Sequence, residues 1–202
     1  MVEQEGHQSL QGKTVLVTGA SRGIGAAAAK RLARAGAAVV INYHQNRQAA
    51  QKVLQGVEKA GGRGMIFQAD VTKPDQIERL FKEVRSRFPS LEIFVSNARP
   101  EAIHFFYPPT DITLEQMDAA FDSQVKGFVI GAREAGKMMS KGGRIIAITY
   151  GTGSRTGGLL PWVAMDRPKL RWSRWCGILL LRSRNAGSRS MPSVRLGRKI
   201  AC

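Results

Sequence analysis

A glycine-rich turn lies between an apolar run and an alanine-rich run near the start of this chain. The turn reads TGASRGIG over residues 18–25, the apolar run covers 13–17, and the alanine-rich run covers 26–32. The apolar run predicts a short buried strand, and the alanine-rich run predicts a helix. A glycine turn between them lets the backbone approach a pyrophosphate, whose charge the helix N-terminus stabilises. The pattern therefore predicts a nucleotide-binding site, with a structural turn that binds no ligand as the alternative.

An alternation of predicted strands and helices continues after this turn. The strands cover 38–43, 64–68, 91–95 and 144–149; the helices cover 46–60, a segment that opens at 72–75 with Thr72 as its N-cap, and 114–139. Such alternation predicts a parallel sheet covered by helices on both faces. Ligands of these sheets bind beyond the carboxyl ends of the strands, where the glycine turn falls.

Length and composition exclude several classes of protein. The 202 residues fit one domain, and they contain no apolar run near the roughly 18 residues of a membrane span. Residues 1–11 are polar and carry two glutamates, which argues against a signal peptide. Cys176 and Cys202 give neither a disulfide framework nor metal-ligand spacing. We therefore expect a cytoplasmic protein without a metal site.

The positive charge is concentrated at the end of the sequence. The formal net charge is +16, of which residues 166–202 contribute +9, from 10 Lys/Arg and one acid. Residues 1–165 contribute only +7. Because over half of the excess charge lies in this tail, nucleic-acid binding through it is the less favoured interpretation.

Residues 18–25 resemble the fingerprint T-G-x-x-x-G-x-G of the short-chain dehydrogenase/reductase family, and the resemblance extends over residues 9–165. Within the family the chain looks most like NADPH-dependent enoyl-acyl-carrier-protein reductases. The resemblance implies a Rossmann-like α/β fold with a doubly wound parallel sheet and a nicotinamide cofactor. It also implies hydride transfer to an enoyl or keto acyl thioester, free or carrier-bound, or to a related carbonyl compound, and a homo-oligomeric parent protein.

The resemblance also indicates which residues hold the cofactor. Those expected at the phosphates are Gly19, Ser21, Arg22, Gly23, Ile24 and Gly25. Asp70 and Val71 follow the third predicted strand and match the pair that holds the adenine ring. Asn97 and Ala98 match the family's N-N-A-G motif, which supports the sheet and the cofactor ribose, although Arg99 replaces the glycine.

The end of the second predicted strand bears on the choice of cofactor. Relatives that prefer NAD place an acid there, whereas this chain has Asn42, Tyr43 and His44. Arg22 in the glycine turn and Arg47 after the strand offer two guanidinium groups that suit a 2′-phosphate. We therefore expect NADP(H) rather than NAD, with Tyr43 as a further cofactor contact. Arg47 taken alone is also typical of a solvated helix charge.

The catalytic positions depart from the family pattern. Lys169 stands where the family's lysine is expected, but Met165 lies four residues before it and Trp162 seven before, and neither is the tyrosine of that pattern. Tyr150 resembles the extra tyrosine of some enoyl reductases and is the expected proton donor or oxyanion contact. Gln124 occupies the helix position where the family often has asparagine. Tyr150 and Lys169 are thus the candidate catalytic residues, and a non-catalytic NADP(H)-binding protein is the alternative.

The tail from residue 166 onward shows neither helix nor strand periodicity. Residues 166–195 can be back-translated into DNA with codons that the genetic code allows. When these bases are read from a start two positions later, they encode SAKAALESLVRYFAVALAQRGITVNAVSP, which looks like the helix and strand that the family places there. Loss of one G after Met165 produces this change, and Lys169 keeps its identity and register in both frames. We therefore expect a Rossmann-type nucleotide-binding domain over 1–165 and an out-of-frame, poorly ordered basic tail over 166–202. The fold would then be incomplete at the C-terminus, and a divergent native tail is the alternative.

Overall fold

The computed structural model describes residues 10–99, 111–139 and 142–148. Its strands are β1 (Thr14–Val17), β2 (Ala38–Tyr43), β3 (Arg63–Gln68), β4 (Ile93–Ser96) and β5 (Arg144–Ala147). Its α-helices are α1 (Gly23–Arg34), α2 (Arg47–Lys59), α3 (Pro74–Arg87), α4 (Leu114–Phe121) and α5 (Gly127–Met138). No helix within the described ranges has the length and apolar character that crossing a membrane requires.

The strands form one parallel sheet in the order β3-β2-β1-β4-β5. The chain moves outward from β1 to β3 and then returns to the other side of β1 to form β4. This reversal places a topological switch point between β1 and β4, and ligands of such sheets bind in the crevice outside the strand ends at that point. The predicted Rossmann-like, doubly wound fold class is confirmed.

Apolar residues of the central strands fill a core on each face of the sheet. Val15, Val17 and Val39 pack in a cluster with residues of α1 and α2, whereas Leu16 and Val40 pack with residues of α3 and α5. Successive side chains of a strand point to opposite faces, so a strand buried on both sides needs an unbroken apolar run. The apolar runs 15–17 and 38–41 supply it.

The predicted helix over 114–139 is interrupted. A π-helical turn, Asp122–Lys126, separates α4 from α5. The Ser123 hydroxyl donates to the carbonyl of Ala119 at 2.9 Å, a bond back to the preceding turn that often accompanies helix distortion. Such turns inside helices are frequent at functional sites.

The N-cap prediction for Thr72 is wrong. Lys73 is the N-cap of α3 and makes no side-chain capping bond. The Thr72 amide instead donates to the Asp70 carboxylate at 2.9 Å, which closes a turn just before the helix. Pro74 then begins the helix, where its missing N–H costs nothing.

Candidate functional site

The carboxyl ends of β1 and β4 are joined by side-chain hydrogen bonds. The Thr18 hydroxyl accepts from the amides of Asn97 at 2.9 Å and Ala98 at 3.1 Å. The Asn97 side-chain amide in turn donates to the carbonyls of Thr18 at 2.9 Å and Gly19 at 3.1 Å. The structure thus brings the predicted pair Asn97 and Ala98 directly against the glycine turn, at the switch point.

Glycine is required in this turn for close approach as well as for conformation. Gly19 has φ +60°, and a Cβ there would lie 2.7 Å from the Cα of Ala98. A Cβ on Gly25 would lie 2.5 Å from the side-chain nitrogen of Asn97 and 2.7 Å from the carbonyl oxygen of Gly19. Real Cβ atoms do not come so close, so any larger residue would push the turn away from β4.

The N-terminus of α1 lies at this turn, and no acidic side chain in its first turn compensates its partial positive charge. Arg22 is the N-cap in an extended conformation, and among the described residues no side chain caps the helix and no acid lies in its first turn. Gly23 follows with φ +57°, and the side chain of Ile24 is 66% exposed although it is apolar. Free helix amides beside an arginine favour an anion, and an exposed isoleucine offers an apolar surface beside it. Ser21, half-buried, lies in the same turn.

Asn42 is a site residue in addition to those predicted from the sequence, where it is notable only because an acid is absent from its position. It is 1% exposed, and its side-chain oxygen accepts from the Gly19 amide at 3.1 Å. Its side-chain nitrogen donates to the carbonyl of Ala69 at 3.0 Å. One buried amide thus joins the glycine turn to the segment after β3. The sequence feature that indicates this role is an amide side chain near the end of an otherwise apolar strand, since a buried polar group needs hydrogen-bond partners.

The residues after Asn42 differ in exposure. The Tyr43 side chain is 2% exposed and packs in the core beside α1 and α2. Its ring therefore serves the fold, and the predicted cofactor contact by this side chain would require it to leave the core. His44 and Arg47 are exposed, and the His44 ring lies 3.7 Å from the Asp70 carboxylate.

Asp70 and Val71 lie in a segment that is fixed from several directions. The Asp70 amide donates to the Gln76 side chain at 2.8 Å, and one Asp70 carboxylate oxygen accepts from Thr72. Ala69 donates to the carbonyl of Tyr43 at 2.9 Å. The other carboxylate oxygen of Asp70 faces His44, so the predicted adenine-binding residues stand at the carboxyl edge beside the end of β2.

Gln124 lies buried in the π-helical turn. It is 7% exposed, and neither polar atom of its side chain has a hydrogen-bond partner among the residues described. A buried amide without partners is costly and is typical of a position that binds water or a ligand group. Across residues 10–99, 111–139 and 142–148, no group of three or more His, Cys, Asp or Glu is arranged to hold a metal ion.

A family model described as enoyl-(acyl carrier protein) reductase matches residues 19–167. The chain belongs to the short-chain dehydrogenase/reductase family. This match covers the glycine turn except for Thr18, the Asp70–Val71 pair and the π-helical turn. It confirms the family resemblance drawn from residues 18–25.

Curated short-chain relatives and solved structures agree with this assignment. The chain is 44% identical to the 1-cyclohexenylcarbonyl-CoA reductase of Streptomyces collinus over 68% of its own length and 48% of that protein's. It is 42% identical to elsinochrome reductase 1 of Elsinoe fawcettii, over 73% and 54% of the two lengths. A short-chain dehydrogenase from Burkholderia cenocepacia J2315, solved in complex with NADP, is 34% identical with a TM-score of 0.75, over 82% of this chain and 66% of that one.

The chain spans about half the length of the curated relatives it matches. The candidate catalytic residues of this short-chain family member, Tyr150 and Lys169, lie outside the described residues, as do Trp162 and Met165. The structure therefore brings the candidate cofactor site together and leaves the candidate catalytic pair as a prediction.

Proposed function

We propose that this chain binds NADP(H) and that the protein it represents is an NADPH-dependent oxidoreductase. The observation that carries the proposal is the glycine turn at the switch point, where Gly19 and Gly25 allow close packing against the segment after β4. Gly23 in the same turn has φ +57° and open space where a Cβ would stand. The uncapped N-terminus of α1 supplies amides and partial positive charge at the same place. A pyrophosphate fits this combination of space and charge.

The residues present fit a dinucleotide along the carboxyl edge of the sheet. The turn formed by Gly19, Ser21, Arg22, Gly23, Ile24 and Gly25 would hold the phosphates. Asp70 and Val71 would hold the adenine, and Asn97 and Ala98 would support the ribose side. Asn42 fixes the spacing between the two ends because it bonds to both Gly19 and Ala69.

A 2′-phosphate suits this site better than a free ribose. Residues 42–44 at the end of β2 carry no carboxylate of their own: Asn42 is buried, Tyr43 is packed in the core, and His44 is exposed, with the Asp70 carboxylate after β3 at 3.7 Å from its ring. Arg22 and Arg47 are exposed cations at the first turns of α1 and α2. Arginine binds phosphate with a planar pair of donors, so NADP(H) is the favoured cofactor. The NADP complex of the Burkholderia relative supports this choice.

Tyr150 and Lys169 would act beside the cofactor. NADPH, when bound, supplies the hydride that reduces the substrate. The phenol of Tyr150 would hold a proton at the reacting oxygen, and the ammonium of Lys169 would orient the ribose side of the site. Trp162 cannot replace an acid, because the indole N–H donates a hydrogen bond without releasing its proton.

A conjugated acyl thioester, carried by CoA or by an acyl carrier, is the proposed substrate class, with a related keto or carbonyl compound next. The reductase of Streptomyces collinus, whose name specifies a cyclohexenylcarbonyl-CoA, and the enoyl reductase description of the family model support it. We further propose a cytoplasmic enzyme whose full-length form is a homo-oligomer.

A non-catalytic NADP(H)-binding protein is the second candidate. The observation that favours it is the identity of the two positions before Lys169, which are Met165 and Trp162 rather than tyrosine. Such a protein would keep the cofactor site and lack a proton donor at those positions.

We also propose that the sequence changes reading frame after Met165. The family match ends at residue 167, which supports this position. Sequencing of the coding DNA across codons 164–174 tests it. We expect a DNA sequence that encodes the family-like helix and strand once one G is restored after codon 165. Codons that do not encode that helix in the shifted frame would contradict the proposal.

One experiment separates the two functional candidates. The chain as written and a frame-corrected version are titrated with NADPH, and NADPH oxidation is then followed with an enoyl-CoA and with a 3-ketoacyl-CoA. We expect both chains to bind NADPH and the frame-corrected chain to turn over the enoyl thioester much faster. Binding by both chains with turnover by neither would identify the non-catalytic protein. Absence of NADPH binding to both would contradict the proposed function.

A further inference from the structure

The contact between Gly127 and Val71 joins two parts of the site that lie far apart in the sequence. Gly127 is the first residue of α5, and a Cβ on it would lie 2.6 Å from the carbonyl oxygen of Val71. That oxygen belongs to the backbone, so it cannot swing aside as the tip of a flexible side chain could. Helix and segment keep their present spacing only with glycine at this position.

The segment that carries Val71 has little freedom to yield. Ala69 is bonded to Asn42 at 3.0 Å and to the Tyr43 carbonyl at 2.9 Å, which fixes the segment to β2. The Asp70 amide is bonded to Gln76, which fixes it to α3. A methyl group on Gly127 would therefore push α5 away or strain these bonds.

Gly127 also closes the π-helical turn. Its amide donates to the carbonyl of Asp122, the bond that spans this wider turn. Gln124, with its unpartnered amide, lies within the same turn. A shift of Gly127 is thus transmitted both to Gln124 and to the segment that holds Asp70.

We infer that Gly127 is a positioning residue for the adenine side of the cofactor site, and that through it cofactor binding at Asp70–Val71 is coupled to the π-helical turn. This inference rests on the proposed function. Gly127 does not contact the cofactor in this proposal. Its role is to set where the Asp70–Val71 segment and the π-helical turn lie relative to each other.

Gly131 provides a matched control on the same helix, one turn further along. A Cβ there would lie 2.6 Å from the ring of Phe94, so a steric conflict arises at the same distance. That ring packs edge-on against Phe81, with 5.6 Å between the ring centroids, in the core cluster against which Val71 also packs. The conflict at Gly131 is thus with a side chain and not with the backbone of the Asp70–Val71 segment. Gly131→Ala should therefore lower stability without moving the adenine side.

The test compares Gly127→Ala with Gly131→Ala by thermal unfolding and by titration with NADPH and with adenosine 2′,5′-bisphosphate. We expect both variants to lose thermal stability. Only Gly127→Ala should raise both dissociation constants, on the order of tenfold, while Gly131→Ala stays within about twofold of the unaltered chain. Equal affinities in the two variants would overturn the inference.

A measurement on the unaltered chain covers the case in which Gly127→Ala does not fold. Amide hydrogen exchange is recorded with and without saturating adenosine 2′,5′-bisphosphate. The inference expects slower exchange at residues 69–73 and also at 122–131. Protection confined to 69–73 would overturn it. Failure of the unaltered chain to bind either NADPH or the bisphosphate would instead contradict the proposed function, and the inference would fall with it.

Discussion

The side-chain oxygen of Asn42 accepts a hydrogen bond from the main-chain amide of Gly19 at 3.1 Å. The nitrogen of the same side chain donates to the carbonyl of Ala69 at 3.0 Å. Gly19 belongs to the turn that would hold phosphates, and Ala69 precedes the pair that would hold adenine. Asn42 therefore determines the distance between the two ends of the candidate site, without being exposed to a ligand.

Replacing Asn42 with alanine should lower the free energy of unfolding by about 2–3 kcal/mol, because one buried and one partly buried main-chain group lose their partner. Gln68→Ala is the control. Gln68 also bonds to a main-chain carbonyl, that of His44 at 2.9 Å, but at the surface, and its loss should cost below about 1 kcal/mol. Urea unfolding of both variants measures the difference. Equal losses would show that Asn42 does not fix the turn.

Gly25→Ala should weaken NADPH binding at least on the order of tenfold. The added methyl group would displace the Asn97 side chain, which then loses its bonds to the carbonyls of Thr18 and Gly19. Gly61→Ala controls for destabilisation alone, because Gly61 has φ +78°, lies after α2 and has open space around it. Fluorescence titration with NADPH compares the two. Unchanged affinity in Gly25→Ala would contradict the position assigned to the pyrophosphate.

Gln124→Met should raise the free energy of unfolding by about 1 kcal/mol, because methionine fills a similar volume without burying an unpartnered amide. The same substitution at Gln116 should lower it by about 1 kcal/mol, since Gln116 and Thr113 form the capping box of α4. Chemical denaturation measures both. A loss of stability in Gln124→Met would mean that an internal water or another group satisfies the amide.

Glu134 should contribute a stability that depends on pH. The hydrogen bond from Lys137, at 2.7 Å, holds the pKa of the Glu134 carboxyl below its usual 4.5 against the effect of its burial, and Arg133 acts in the same direction. Because the pKa is lowered in the folded state, this stabilisation is complete above the unfolded value and is lost as pH falls through the folded one.

Glu134→Gln should therefore be less stable than the unaltered chain at neutral pH, and the difference should shrink below about pH 4.5. Glu78→Gln is the control, because Glu78 is an exposed partner of the same Arg133 and exposed ion pairs contribute little. Thermal unfolding across this pH range records both. A difference that stays constant with pH would contradict the role given to Glu134.

The periodic elements were predictable because the central strands are buried on both faces. The runs around Leu16 and Val40 contain no alternation that could be confused with an exposed strand. The glycine turn was equally clear, since Gly19 and Gly25 allow close approaches that other residues do not.

The errors fall where tertiary contacts override local pattern. The composition of residues 114–139 is helical throughout, so the sequence does not reveal the π-helical turn that contains Ser123 and ends before Gly127. Thr72 has a side chain that is typical of an N-cap, yet its main-chain amide donates a hydrogen bond to the Asp70 carboxylate in the turn before the helix. The cofactor contact expected of Tyr43 stays a prediction, and the sequence alone does not reveal that its ring packs in the core beside α1 and α2.

Titration of this chain with NADPH and with NADH, side by side, determines whether the site prefers the cofactor that carries a 2′-phosphate. We expect NADPH to bind at least about tenfold more tightly than NADH, because Arg22 and Arg47 are exposed and residues 42–44 at the end of β2 include no acid. Tighter binding of NADH, or binding of neither dinucleotide, would contradict it.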